Sequence, residues 1–323
     1  MSEQINPFQT RLTEMLGIQY PVIMAPMFLV SNVAMVKAAM DSGITGAIPA
    51  LNYRTLKELA DAIRELKEHG GAFGINLIVN RSNFKYEEQL EVCCNLKVPF
   101  IITSLGSPAE TIRESHKVGT KVFCDVTNLA YAEKVASLGA DALIAVNNRA
   151  GGHLGKLSPE ELIPQLTKAF NIPVINAGGV GDYHSLRHVL ELGAAGASIG
   201  SIFIASDECG VSQDYKQAIV DYGKKDIVTT EKLSGSPCTV INTPYVQKVG
   251  THMTWIERIL SKNKRFKKWF KALTFIKGMK SLEKAAFSTT YQTVWCAGET
   301  IEFVHAIRPV REIVKDLVNE PHG

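Results

Sequence analysis

Pro173–Ser201 reads PVINAGGVGDYHSLRHVLELGAAGASIGS, and it spans one complete β-then-α-then-β unit. The apolar run Pro173–Ala177 ends in a small residue and is followed by Gly178 and Gly179. The segment carrying His184 and His188 is expected to be helical and to stop near Gly193, and a second apolar run follows at Ala197–Gly200. Runs of four or five such residues have the length of strands buried on both faces, as parallel sheets require. Towards the N-terminus the same unit recurs. Val22–Ala25, Gly46–Ala50, Phe73–Leu77, Phe100–Thr103, Lys121–Asp125 and Ala142–Val146 are six further runs, each separated from the next by room for a crossover helix and two loops.

The intervening segments have helical character. Thr55–Lys67 places Leu56, Leu59, Ala60, Ile63 and Leu66 on one stripe, and Ala130–Leu138 and Pro159–Phe170 behave alike. Ser158-Pro159-Glu160-Glu161 is a helix start, with serine as cap, proline at the first position and early carboxylates. Gly139 and Asn171 mark helix ends. Eight units close a (β/α)8 TIM barrel. A doubly wound open sheet uses the same alternation. The count of eight, and the lack of Gly-x-Gly-x-x-Gly after the first strand, favour the barrel. The expected organisation is a barrel over residues 1–206, with 295–323 returning to pack on it. Residues 207–294, which show no strand-length runs, are expected to form a smaller, mainly helical substrate or lid domain.

The chain has 323 residues, a formal net charge of +3 and 46% hydrophobic residues, which describes an ordinary packed protein and gives no argument for nucleic acid. No apolar run reaches the roughly 18–20 residues of a membrane span. The polar start Met1–Pro7 lacks the pattern of a secretory signal, so a cytoplasmic location is expected. The six cysteines show no Cys-x-x-Cys pair and no histidine at metal-ligand spacing, so reduced thiols and no metal site are expected.

Barrel enzymes build their sites from residues just after each strand. Those positions are Ala25, Pro26 and Met27 after strand one, Asn76 at strand three, Thr103-Ser104 at strand four and Asp125 at strand five. They continue with the loop Arg149-Ala150-Gly151-Gly152-His153-Leu154-Gly155-Lys156 after strand six, Gly178-Gly179 after strand seven and Gly200-Ser201 after strand eight. Glycines on the last two strands let backbone N–H groups approach a phosphate; tight turns are the alternative use of the same residues. His153, flanked by Gly151, Gly152 and Gly155, reads either as an acid–base or hydrogen-bonding group or as a surface loop histidine.

At these residues the chain resembles the nitronate monooxygenase (2-nitropropane dioxygenase) family, which also contains flavin-dependent enoyl-ACP reductases. The resemblance rests on Pro21–Met27, Gly74–Leu77, Gly139–Ala142, Ala150–Gly155, Pro173–Val180, Leu192–Ala197 and the closing Trp295-Cys296-Ala297-Gly298, in order along nearly the whole chain. Ser234-Gly235 looks like the nitronate enzymes, whereas Gly151–Leu157 also looks like the reductases. The resemblance implies non-covalent FMN. Gly178, Gly179, Gly200 and Ser201 are then expected at its phosphate; Ala25, Pro26, Met27, Asn76, Asp125, Ala150, Gly151 and Gly152 are expected about the flavin, and the catalytic His153 faces the substrate. Ser201-Ile202 stands where many relatives have threonine and then Arg or Ala. Asp125 stands where some place a lysine, and the tyrosine-rich substrate stretch of some nitronate enzymes has no counterpart here beyond Tyr291 before the closing motif.

The implied reaction is oxidation of alkyl nitronates by O2 to carbonyl compounds and nitrite. The alternative is an NAD(P)H-dependent FMN reductase of enoyl thioesters or quinones. Lys262–Lys280 carries eight Lys or Arg and no acid. It reads as a solvated basic helix, as a docking patch for an acidic carrier or dinucleotide phosphate, or as a membrane-surface helix with Trp269, Phe270, Leu273 and Ile276 on its apolar face. A flavin-binding protein without catalysis is a third reading. NAD(P)H as co-substrate and a homodimer as assembly are left open by the sequence.

Overall fold

The computed structural model describes residues 7–80, 83–232, 237–251 and 294–321. Eight parallel strands close a barrel in sequence order: β1 (Val22–Met24), β2 (Thr45–Pro49), β3 (Gly74–Ile78), β4 (Phe100–Ser104), β5 (Lys121–Val126), β6 (Ala142–Val146), β7 (Val174–Ala177) and β8 (Gly196–Ile199). Closure is made by β8 on β1, with Val22 opposite Ala197 and Met24 opposite Ile199. The open-sheet alternative is thereby excluded. Each strand lies within about two residues of its sequence-derived run, because a strand covered on both faces must be apolar throughout.

Inside the barrel, Ile23, Ala47, Phe100, Ile102, Phe123, Ile144 and Ile175 pack into a filled core. Phe100 and Phe123 stack at 4.9 Å between centroids. Gly74 makes room for them, since a Cβ there would lie 2.2 Å from the Phe100 ring. A short helix, α1 (Arg11–Leu16), closes the N-terminal end by placing Leu12 against this core. Thr10 caps it and donates to Ala195 O at 2.6 Å.

Seven helices cover the outside: α2 (Val33–Asp41), α3 (Leu56–His69), α4 (Tyr86–Asn95), α5 (Ala109–His116), α6 (Leu129–Ser137), α7 (Pro159–Ala169) and α8 (Tyr183–Glu191). Reciprocal capping boxes start α3 (Thr55 with Glu58) and α7 (Ser158 with Glu161). The eighth place in the ring, between α8 and α2, is filled by α11 (Val310–Val318). The eighth β/α unit therefore contains a long insertion. Its described part holds α9 (Gln213–Asp221), an antiparallel pair β9 (Ile227–Thr230) and β10 (Cys238–Ile241), and α10 (Pro244–Val249). Strands thus occur in a stretch where the sequence shows no strand-length run, a correction to that expectation. Ser234-Gly235, the basic segment Lys262–Lys280 with its apolar face, and Tyr291 lie outside the described residues.

Candidate active site

A cavity of about 830 Å³ opens at the C-terminal ends of the barrel strands, where this fold places its chemistry. The thirteen residues that the family resemblance assigned to the flavin and substrate all line it. Ala25, Pro26 and Met27 follow β1, Asn76 lies on β3 and Asp125 on β5. Ala150, Gly151, Gly152 and His153 come from the loop after β6, and Gly178, Gly179, Gly200 and Ser201 from the ends of β7 and β8. His184 and His188, by contrast, lie exposed on α8.

Three adjacent strand ends share a directed hydrogen-bond chain. Asn76 Nδ2 donates to Ser104 Oγ at 2.8 Å, and the Ser104 hydroxyl donates to Asp125 Oδ2 at 2.5 Å. Asn76 also donates to Ile102 O at 3.2 Å, which fixes the head of the chain. Burial raises the Asp125 carboxyl from its ordinary value to about 6, and the Ser104 hydrogen bond opposes this only in part.

The glycine loop is held from outside the barrel. Gly152 N donates to Thr239 Oγ1 at 2.9 Å and Thr239 N donates to Gly152 O at 2.9 Å, so β10 grips the residue before His153. His153 itself makes a β-bridge to Cys238. Desolvation within the cavity lowers the His153 pKa from its ordinary value, although the residue keeps an exposed edge. Thr239 escaped the sequence reading. Its local signal was the β-branched run Thr239-Val240-Ile241, and its partner lies 87 residues away.

At β7 and β8 the backbone comes unusually close to its neighbours. Gly178 has φ +117°, and a Cβ there would stand 2.4 Å from Asn147 Oδ1 and 2.5 Å from Ala150 N. Asn147 Nδ2 donates to Asn176 Oδ1 at 2.8 Å and to Gly178 O at 3.0 Å, bracing the turn from beneath. Ser201 Oγ accepts from Gly298 N at 2.8 Å, which leaves its own hydroxyl hydrogen for another acceptor. Gly151 and Gly298 meet so closely that a Cβ on Gly298 would lie 2.9 Å from Gly151 Cα. Arg149, at the rim, is engaged by Glu160 in two hydrogen bonds of 3.0 and 3.2 Å. The cradle thus offers small residues and neutral donors, while Ala25, Met27, Val146 and Ile199 supply apolar wall. That combination fits a planar aromatic ligand carrying a phosphate.

The cysteines are free thiols; Cys238 and Cys296 both reach the cavity with their sulfurs 3.9 Å apart. Tyr215 stacks on Trp295 with centroids 5.6 Å apart and donates to Cys296 O at 2.5 Å, anchoring the closing motif. Among the described residues no helix is long and apolar enough to cross a membrane.

A family model described as nitronate monooxygenase matches residues 79–320. The chain belongs to the nitronate monooxygenase family. This is a family of flavin-dependent oxidoreductases that act on small molecules. A protein of Rhodococcus jostii named (3aS,4S,5R,7aS)-5-hydroxy-7a-methyl-1-oxo-octahydro-1H-indene-4-carboxyl-CoA dehydrogenase is 30% identical, over 76% of this chain and 69% of its own length. A probable nitronate monooxygenase of Staphylococcus saprophyticus is 28% identical over 75% of this chain and 81% of its own. Among solved structures, FabK from Thermotoga maritima superposes with a TM-score of 0.83 at 29% identity, covering 96% of this chain and 95% of FabK.

Proposed function

We propose that the protein is an FMN-dependent nitronate monooxygenase, converting alkyl nitronates and O2 to carbonyl compounds and nitrite. The observation that carries this reading is the meeting of His153 with the glycine turns of β7 and β8 in one cavity of a nitronate monooxygenase family member. Bound FMN would supply the electron-transfer chemistry. Gly178, Gly179, Gly200 and Ser201 hold its phosphate through backbone N–H groups and the Ser201 hydroxyl. Ala25, Pro26, Met27 and Asn76 line its ring system, with Ala150, Gly151 and Gly152 across the cavity. His153 donates a hydrogen bond to the nitro oxygens and so favours the charge they carry.

A second reading, NAD(P)H-dependent reduction of an enoyl thioester or quinone, is favoured by the likeness to a CoA-thioester dehydrogenase and by the exposed Lys134 at the rim. Anaerobic mixing of the yellow protein with propionate 3-nitronate, and separately with NADH and NADPH, decides between them. Bleaching by nitronate alone is expected. Fast bleaching by a nicotinamide alone, with no response to nitronate, replaces the monooxygenase by the reductase.

A further inference from the structure

Two thiols meet in the wall of the cavity. Cys238, the first residue of β10, and Cys296, in the closing Trp295–Gly298 stretch, both line it with their sulfurs 3.9 Å apart. The other four cysteines, Cys93, Cys94, Cys124 and Cys209, do not line it. Backbone pairing brings the two together. Val240 and Cys296 form an antiparallel bridge, and Ile241 N donates to Trp295 O at 2.9 Å, so the closing stretch runs beside β10. A disulfide bond is about 2.0 Å long, so the sulfurs must close by roughly 1.9 Å, a displacement that rotation about the Cα–Cβ bonds supplies. Contact with Cys238, with burial behind it, raises the Cys296 thiol well above its ordinary value. Cys296 therefore keeps its proton and points it at the Cys238 sulfur, which is left as the sulfur that reacts first.

We propose that Cys238 and Cys296 are a modification site for peroxide, which joins them in a reversible disulfide that straps β10 to the closing stretch beside the loop bearing His153. Hydrogen peroxide is small enough to enter through the cavity. The Cys238 sulfur attacks one peroxide oxygen; an S–O bond forms, the O–O bond breaks, and the departing hydroxide leaves as water with the Cys238 thiol proton. The Cys296 sulfur then attacks Cys238; the S–S bond forms, the S–O bond breaks, and the second hydroxide leaves as water with the Cys296 proton. Two thiols give up two electrons in all, and one peroxide becomes two waters. A small dithiol reverses the change by exchange. What the strap does follows from the neighbours of Cys238. It bridges His153, and the next residue, Thr239, exchanges two hydrogen bonds of 2.9 Å with Gly152. The cysteines stand 58 positions apart, so their cross-link closes a long loop and opposes separation of the hairpin from the closing stretch. Local opening of the grip on Gly152 is thereby suppressed, and the His153 loop is held more firmly. Nothing in these steps depends on which reaction the cavity performs.

The test treats the full chain, as purified, with hydrogen peroxide and then catalase. Of the six cysteine thiols, four remain titratable in denaturant, peptide mapping finds Cys238 joined to Cys296, and dithiothreitol restores all six. In the oxidised protein the Gly152 and Thr239 amides exchange hydrogen about tenfold or more slowly than in the reduced protein. Cys296→Ser, treated alike, shows neither the link nor the slowing, and dimedone, which captures sulfenic acids, labels its Cys238. Cys238→Ser leaves Cys296 unlabelled. Six thiols surviving peroxide in the wild type, or a link between any other two cysteines, overturns the inference. A Cys238–Cys296 link that leaves both amides exchanging as before overturns it as well, because the strap then does not reach the loop. Label on Cys296 in Cys238→Ser, with none on Cys238 in Cys296→Ser, overturns the order of the two steps.

Discussion

Asp125 and His153 lie in one cavity, where desolvation raises the carboxyl pKa and lowers that of the imidazole. For Asp125 this has a consequence for folding. Its folded pKa of about 6 stands above the ordinary 3.8, so as pH rises from about 4 the unfolded chain loses this proton first. Stability falls through that window and is lower by up to about 3 kcal/mol above it, less where water in the cavity screens the charge. Asp125→Asn should therefore melt higher than wild type near pH 7.5 and no higher near pH 4, as thermal unfolding at the two values will show; equal melting temperatures at both remove the buried-charge account. His153→Asn should keep its flavin, measured as visible absorbance per protein, and lose turnover by roughly 10²–10⁴-fold. Unchanged turnover would take His153 out of the chemistry. These two residues were legible in the sequence because a barrel strand end is a defined address. Ser104 stood at such an address as well, but its orientation towards Asp125 is a side-chain fact that no pattern carries.

The elements differ in how openly the sequence declares them. Eight strands buried on both faces appear as eight apolar runs, and the caps of α3 and α7 appear as Thr55-x-x-Glu58 and Ser158-x-x-Glu161. The hairpin of β9 and β10 does not, because it is short, pairs antiparallel and takes its place from contacts with Gly152 and Trp295 rather than from neighbours in the chain. Yet it fixes the loop that bears His153. Thr239→Val keeps the shape and removes the hydroxyl that accepts from Gly152 N, which should destabilise the loop by about 1–2 kcal/mol. Turnover should fall while flavin content holds, and loss of flavin in that variant would assign Thr239 to the cofactor instead. Gly178→Ala should do the reverse. Its Cβ would collide with Ala150 N and the backbone has φ +117°, so the purified variant should be colourless and refuse added FMN. A yellow Gly178→Ala protein would place the phosphate elsewhere.

The eighth unit of the barrel is interrupted between β8 and its helix, so the ring is completed by the last helix of the chain. Three contacts hold that join. Arg308 N donates to Ala205 O at 3.2 Å, Asp207 N donates to Arg308 O at 3.1 Å, and the Glu208 carboxylate accepts from Val310 N at 3.0 and 3.2 Å. Glu208 thereby serves as the cap that Pro309 cannot supply, and its charge suits the N-terminal end of α11. The helix then buries Val310, Ile313, Val314, Leu317 and Val318 against the shared outer core. At about 1.5–3 kcal/mol for each such side chain, their removal amounts to something on the order of 10 kcal/mol, as large as the whole stability of a typical domain. It would also bare the faces of α2 and α8 that α11 covers, a contiguous apolar strip of the kind that drives aggregation. A chain ending at Pro309 should therefore accumulate as insoluble protein although every strand and every cavity residue is present. Leu317→Ala, a graded version of the same change, should stay soluble and lose about 2–5 kcal/mol in denaturant unfolding. If the truncated chain were soluble and bound FMN, the barrel would close without its eighth helix, and the join through Glu208 and Arg308 would be ornament to a ring already complete.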